Sequence, residues 1–254
     1  MQGMREFRER LASGGVCLGA SVTFTDPTVT EALCDSVDFI WIDTEHNPMT
    51  LESVTGHLIA ARACGKAALV RVPTSETAYI KRTLDAGAPG IIVPQVRTAA
   101  EVRRVVSDCR YAPMGSRGFG PRRPSNYGRL AGDAYISLMN REIFVAVQIE
   151  HIDAVRELND IVATPGLDSL VIGPMDLSGS MGLLGQPNHP DVVQMMETVI
   201  DTGRKAGLSI GMGMGTDLDF AVRWMKRGVQ WLQLGCDFGY LIERFDGLSK
   251  AIRG

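Results

Sequence analysis

His46, Arg71, Glu150 and Asp176 each stand just beyond a short apolar run, and together they offer a base, a fixed cation and two hard oxygen ligands. Glu150 closes the run Phe144-Val-Ala-Val-Gln-Ile149, and Asp176 follows Ser169-Leu-Val-Ile-Gly-Pro-Met175. If those runs are neighbouring parallel strands, about 4.8 Å apart, their two carboxylates can reach one ion. A pair of carboxylates without nearby cysteine suits Mg2+ or Mn2+ better than zinc, and leaves about four octahedral positions for water and substrate. The other reading is that each carboxylate caps a helix or pairs with an arginine. His46 lies in Asp43-Thr-Glu-His46, where a carboxylate partner would fix its tautomer and raise its basicity, as a general base requires. A surface or helix-capping histidine is the alternative. Arg71 ends the otherwise apolar run Ala67-Ala-Leu-Val70. A guanidinium there either stabilises a developing oxyanion or forms a structural ion pair.

Other candidates carry less. His57 lies within a helical pattern, His151 follows Glu150, and His189 sits in a Pro-Asn-His-Pro turn. Lys66, Lys81, Lys205, Lys226 and Lys250 fall before a strand or inside helices, which argues against Schiff-base chemistry. Gly211-Met-Gly-Met-Gly215 lacks the Lys-Ser/Thr of a phosphate loop, and close packing explains it as well. The Arg117-Gly-Phe-Gly-Pro-Arg-Arg123 stretch is basic enough to meet an acidic substrate or a neighbouring subunit, with solvated loop charge as the default.

The elements that must position these residues alternate. Strand-like runs at 16–24, 38–43, 68–72, 90–96, 144–150, 169–172, 209–214 and 231–235 are each followed by a helical pattern, the last at 241–252. Asp26-Pro27 and Thr98-Ala-Ala-Glu101 mark helix starts. Such alternation implies parallel strands joined by right-handed crossovers. Eight units in 254 residues favour a closed (β/α)8 TIM barrel, one domain spanning 1–254, with the functional residues at the carboxyl ends of the strands. The irregular segment from Tyr111 to about Gly132 is expected on that functional side.

At 45% hydrophobic and 22% charged residues the chain is not disordered, and a net charge of −3 argues against nucleic acid or an acidic membrane as partner. No apolar run approaches the roughly 18 residues of a membrane span. The charged first ten residues lack the apolar core of a secretory signal. Five scattered cysteines, an odd number without a CxxC pair, fit a reducing compartment, and a cytoplasmic location is expected.

Asp43-Thr-Glu-His46 followed by Asn-Pro, then Val70-Arg-Val-Pro73, resembles the HpcH/HpaI family of metal-dependent, class II pyruvate aldolases. The likeness continues through Leu84-Asp-Ala-Gly87, Ile92-Val-Pro94, Arg110-Tyr-Ala-Pro113, Gly115-Ser-Arg-Gly118, Val147-Gln-Ile-Glu150, Gly173-Pro-Met-Asp-Leu-Ser178 and His189-Pro190. These blocks run in family order across most of the chain.

The resemblance implies a barrel whose C-terminal helix is exchanged between subunits, in a homohexamer built as a trimer of dimers. It implies a divalent metal (Mg2+, Mn2+ or Co2+) on Glu150 and Asp176, Arg71 stabilising a pyruvate enolate, and His46 as base, acting through water. Asp85 would raise the basicity of His46 across a subunit interface, a role that rests on the resemblance alone. Gln148 and the backbone at Met175 and Asp176 would hold the substrate. The expected reaction cleaves or forms a 4-hydroxy-2-oxo acid from pyruvate, or another 2-oxo acid, and an aldehyde; the basic 117–123 loop hints at an acidic aldehyde. Oxaloacetate decarboxylation or acyl-CoA condensation on the same barrel is the first alternative, and a non-catalytic binding protein the second.

Overall fold

Eight strands, β1 (Cys17–Val22), β2 (Phe39–Asp43), β3 (Ala67–Arg71), β4 (Gly90–Val93), β5 (Phe144–Ile149), β6 (Ser169–Ile172), β7 (Ser209–Met214) and β8 (Trp231–Cys236), pair in chain order, all parallel, and β8 closes on β1. These coordinates are a computed structural model and describe residues 1–254. Around the barrel run α2 (Thr28–Leu33), α3 (Leu51–Ala63), α4 (Thr77–Asp85), α5 (Ala99–Cys109), α6 (Gly132–Glu142), α7 (Ile152–Arg156), α8 (Leu158–Val162), α9 (Pro174–Ser180), α10 (Pro190–Lys205), α11 (Leu218–Arg227) and α12 (Asp237–Arg253), with α1 (Gln2–Ala12) ahead of β1. The strand–helix alternation thus produces the expected (β/α)8 barrel. The Thr98 side chain accepts the Glu101 N–H at 3.2 Å, as its capping signature predicts.

The barrel interior is filled by large and small side chains in alternation. Phe39 and Phe144 meet Trp231 edge-to-face, with ring centroids 5.5 and 6.4 Å apart. Gly211 makes room for that indole, because a Cβ there would lie 2.1 Å from Trp231. The glycine-rich run of β7 is therefore packing, not a phosphate loop. Trp231 Nε1 donates to Ser169 Oγ at 3.0 Å, so the buried indole keeps its hydrogen bond.

Helix α1 closes the amino-terminal end, outside the strand–helix alternation expected from the sequence. Met4, Phe7 and Leu11 line one face of α1 at helical spacing and are buried. Phe7 enters the aromatic cluster, 5.4 Å from Phe39 and 5.6 Å from Phe144. Burying a phenylalanine side chain stabilises by about 2 kcal/mol, so α1 is part of the core and not a tail.

The segment after α5 lies opposite to its expected side. A helix of the expected kind, α5, already carries the chain from β4 back toward the amino-terminal end, so 110–131 connects there and not at the functional rim. Arg110 confirms the position: it donates to the Ile143 and Gly166 carbonyls just before β5 and β6. At the other terminus, α12 leaves Leu241, Ile242, Phe245 and Ile252 exposed. No helix is long and apolar enough to cross a membrane.

Candidate active site at the carboxyl-terminal rim

Strand register sets the first pair. Asp43 and Arg71, the last residues of β2 and β3, stand opposite each other, and Arg71 Nε donates to Asp43 Oδ1 at 2.7 Å. Asp43 Oδ1 also accepts the Glu45 N–H at 3.1 Å, which turns the chain so that the Glu45 side chain faces Arg71. Arg71 Nη1 then lies 3.0 Å from Glu45 Oε2, close but too poorly directed for a hydrogen bond. The guanidinium also lies 5.4 Å from the Trp41 ring centre. Burial works against its charge, but Asp43 above all, with Glu45 and Glu150, holds its pKa above the usual arginine value. Ion pair and oxyanion donor were alternatives for Arg71; the ion pair is present, and it fixes the fork at the rim.

Glu150 follows β5 and is 2% exposed. The Gln148 amide donates to its Oε2 at 2.5 Å, and the Gln95 backbone N–H donates to Oε1 at 2.7 Å. Gly173 is needed beside it, since a Cβ there would come within 2.4 Å of Glu150 Oε2. Burial, then the charges of Glu45 and Asp176, raises the Glu150 pKa to about 7 in spite of Gln95 and Arg71. Glu45 is likewise raised to about 7, by burial first and then by Asp43 and Asp176, with Arg71 opposing. Asp176 sits exposed in the first turn of α9.

Asp43, Glu45, Glu150 and Asp176 thus gather around one guanidinium, Arg71. Such an excess of negative charge in a partly buried place fits a cation. The donors are all carboxylate oxygens, which suits a hard divalent ion. No three Asp, Glu, His or Cys side chains are gathered closely enough to hold a metal ion between them. The Gln148 Oε1 atom, buried next to Glu150, has no partner within the protein.

The candidate residues separate into two groups. His46, Arg71, Gln148, Glu150, Met175 and Asp176 all lie at this rim. His46 follows Glu45, with Nε2 3.7 Å from Glu45 Oε2 and its side chain 64% exposed. Asp85 does not join them: it ends α4 at the amino-terminal end of the barrel, where Arg117 donates to it at 2.9 Å. Arg117 is fully buried, its guanidinium 4.6 Å from the Tyr111 ring centre. It is a structural arginine, and the basic 117–123 loop does not face the rim of its own chain. Asp237, the first residue of α12 after β8, accepts the Thr23 and Phe24 N–H groups and ties the end of β1 to the start of α12. His151 and His189 cap α7 and α10, and His57 is buried between Thr30 and the Phe24 carbonyl.

Two residues at the site were not foreseen in their roles. Glu45, expected only as a partner for His46, contacts both His46 and Arg71. Gln95 supplies the N–H for Glu150 from a left-handed backbone, φ 56°. Non-glycine residues in that region cluster at functional sites, and nothing in a lone glutamine announces it.

The chain is similar to known proteins over nearly its whole length. The family model described as HpcH/HpaI aldolase/citrate lyase matches residues 23–243. A hydroxypyruvate/pyruvate aldolase of Pseudomonas aeruginosa is 32% identical over 99% of this chain and 94% of its own. A 5-keto-4-deoxy-D-glucarate aldolase of Salmonella paratyphi C is 33% identical over 92% of this chain and 91% of its own. The crystal structure of an HpcH/HpaI aldolase/citrate lyase family protein from Burkholderia cenocepacia superposes with a TM-score of 0.92 at 30% identity, covering 98% of this chain and 99% of that one. A match of this extent, over a barrel with this rim, places the chain in the HpcH/HpaI aldolase/citrate lyase family.

Proposed function

We propose that this chain is a class II aldolase that cleaves or forms 4-hydroxy-2-oxo acids, with pyruvate or a close 2-oxo acid as one partner and an aldehyde as the other. The aldolase names of its relatives support the reaction class. The observation that carries the site assignment is Glu150: a buried carboxylate held by two donors, raised to about 7, among further carboxylates and one arginine.

Glu150 and Asp176 would hold the divalent ion, with Mg2+, Mn2+ and Co2+ all compatible with oxygen ligands. When bound, such an ion supplies a Lewis acid that makes the C–H bond next to the keto group of a 2-oxo acid more acidic. Arg71, held by Asp43 and Glu45, presents a fixed positive charge where negative charge grows on the substrate oxygen. The Gln148 amide is fixed against Glu150 beside the same oxygens. The N–H groups of Met175 and Asp176 lie in the first turn of α9, where a helix offers no internal acceptor, and suit the substrate carboxylate. His46, exposed and beside Glu45, takes or returns the proton, directly or through a water.

Asp85 can serve His46 only from another subunit, because one chain puts them at opposite ends of its barrel. The exposed apolar side chains of α12 fit a helix exchanged with a neighbour, and a trimer of dimers is the assembly we propose. A cytoplasmic location is part of the same reading. The test is pyruvate release from a 4-hydroxy-2-oxo acid, assayed with and without a chelator. Unchanged release in the chelated enzyme would overturn the metal-assisted reading.

A further inference from the structure

A cavity of about 350 Å³ opens at the amino-terminal end of the barrel, on the far side from Glu150. It lies between α1, the turns before β3 and β4, and the irregular segment after α5. Arg62, Lys66 and Arg123 line it, and no Asp or Glu does. None of the three is in ion-pair contact with a carboxylate. Several arginines at this end are matched: Arg5 with Glu142, Arg8 and Arg110 with Asp168, Arg117 with Asp85. Three cations therefore line this cavity with no carboxylate among them.

Arg123 is built into the wall. Its Nη1 donates to the Ala86 carbonyl at 3.1 Å, and it passes so close to Gly87 that a Cβ there would lie 2.5 Å from Nη1. Gly87 has φ +100°, a conformation that itself favours glycine. The remaining guanidinium nitrogens have no protein partner of their own. Burial, then the charge of Arg62, lowers the Arg123 pKa. Asn126, which also lines the cavity, is left-handed at φ 50°, and Ser125 fixes that turn: its one hydroxyl proton is shared between the Pro121 and Arg122 carbonyls, and its Oγ accepts the Gly128 N–H.

We propose that this cavity binds a small phosphate-bearing anion, at a site separate from the carbon–carbon bond chemistry. Two guanidinium forks and an ammonium match the charge and the several acceptor oxygens of a phosphate group. The volume is that of a small-metabolite pocket.

The test is calorimetric titration of the purified, metal-loaded full chain with inorganic phosphate, at ionic strength held constant with chloride. Saturable binding of one phosphate per chain is expected. Arg62→Gln and Arg123→Gln should each weaken it by about tenfold or more, as loss of a charge-assisted contact does. Glu150→Gln should leave it unchanged, which separates this site from a metal-bound anion at the rim. Arg62 is exposed, so its variant folds, and its thermal stability without phosphate should match or exceed wild type because a repulsion is removed. Absence of saturation, binding indifferent to both arginine variants, or loss of stability in Arg62→Gln without phosphate would each overturn the proposal.

Discussion

Asp43 Oδ1 and Arg71 Nε meet at 2.7 Å across the ends of two paired strands, and this contact orients the only guanidinium among four rim carboxylates. Its geometry depends on the flat fork of arginine, since Nη1 reaches toward Glu45 while Nε is held by Asp43. A lysine keeps the charge but cannot hold both directions. Arg71→Lys should therefore lower kcat by about 10²-fold or more, the scale of a lost oxyanion donor, with little change in Tm. Steady-state kinetics beside a melting curve measure this; a kcat near wild type would remove Arg71 from the chemistry.

Glu150 carries a stability cost that its function explains. Its folded pKa of about 7 lies above the ordinary 4.5, so the folded chain retains a proton that the unfolded chain has released. Stability from this group thus falls as pH rises from about 4.5 to about 7, and above that window the charge costs on the order of 3 kcal/mol. Glu150→Gln should raise the Tm of metal-free protein by several degrees at pH 8 while abolishing activity. Added Mg2+ or Mn2+ should stabilise wild type and not the variant. Scanning fluorimetry with and without metal reads both; a variant no more stable than chelated wild type would contradict the burial argument.

His57 gives the opposite pH sign. Burial lowers its pKa from 6.5, against the opposing pull of the Phe24 carbonyl, Asp237 and Asp26. Below about pH 6.5 the unfolded chain binds a proton that the folded chain refuses, so this group withdraws stability as pH falls. Glu45 and Glu150 act in the other direction over much of that range, so wild type alone does not isolate it. The Tm difference between wild type and His57→Gln, followed from pH 7.5 to 5, should move in favour of the variant as the solution is acidified. A constant difference, or one that moves in favour of wild type, would contradict the burial of an uncharged His57.

Gly211 tests the interior packing. Its absent Cβ would lie 2.1 Å from the Trp231 indole, which is itself locked by Phe39, Phe144 and Ser169. Gly211→Ala should destabilise by about 1–3 kcal/mol, the range for overpacked cores. Denaturant unfolding gives the value, and a neutral effect would show that the indole can shift.

The barrel was legible because apolar strand runs alternate with capped helices, and the rim because polar residues follow those runs. His46, Arg71, Glu150 and Asp176 needed only strand polarity to be brought to one end. Helix α1 was hidden because charged residues dominate its composition, although Met4, Phe7 and Leu11 carry the helical spacing. The 110–131 segment lies at the opposite end from the one its composition suggests, because the helix after β4 has already returned the chain. Asp237 and Glu45 show a different limit. Both are acids next to strand ends, and only three-dimensional contacts separate the backbone clamp from the partner of Arg71. The left-handed backbone at Gln95 leaves no trace in residue type.

Exchange of the pyruvate methyl protons for deuterium, followed by NMR in D2O, tests the central claim most directly because it needs no knowledge of the aldehyde. The account predicts exchange that requires Mg2+ or Mn2+, is lost in Glu150→Gln, and is slowed by about 10²-fold or more in His46→Gln. Exchange that persists in chelated enzyme, or at wild-type rate in folded Glu150→Gln, would contradict it.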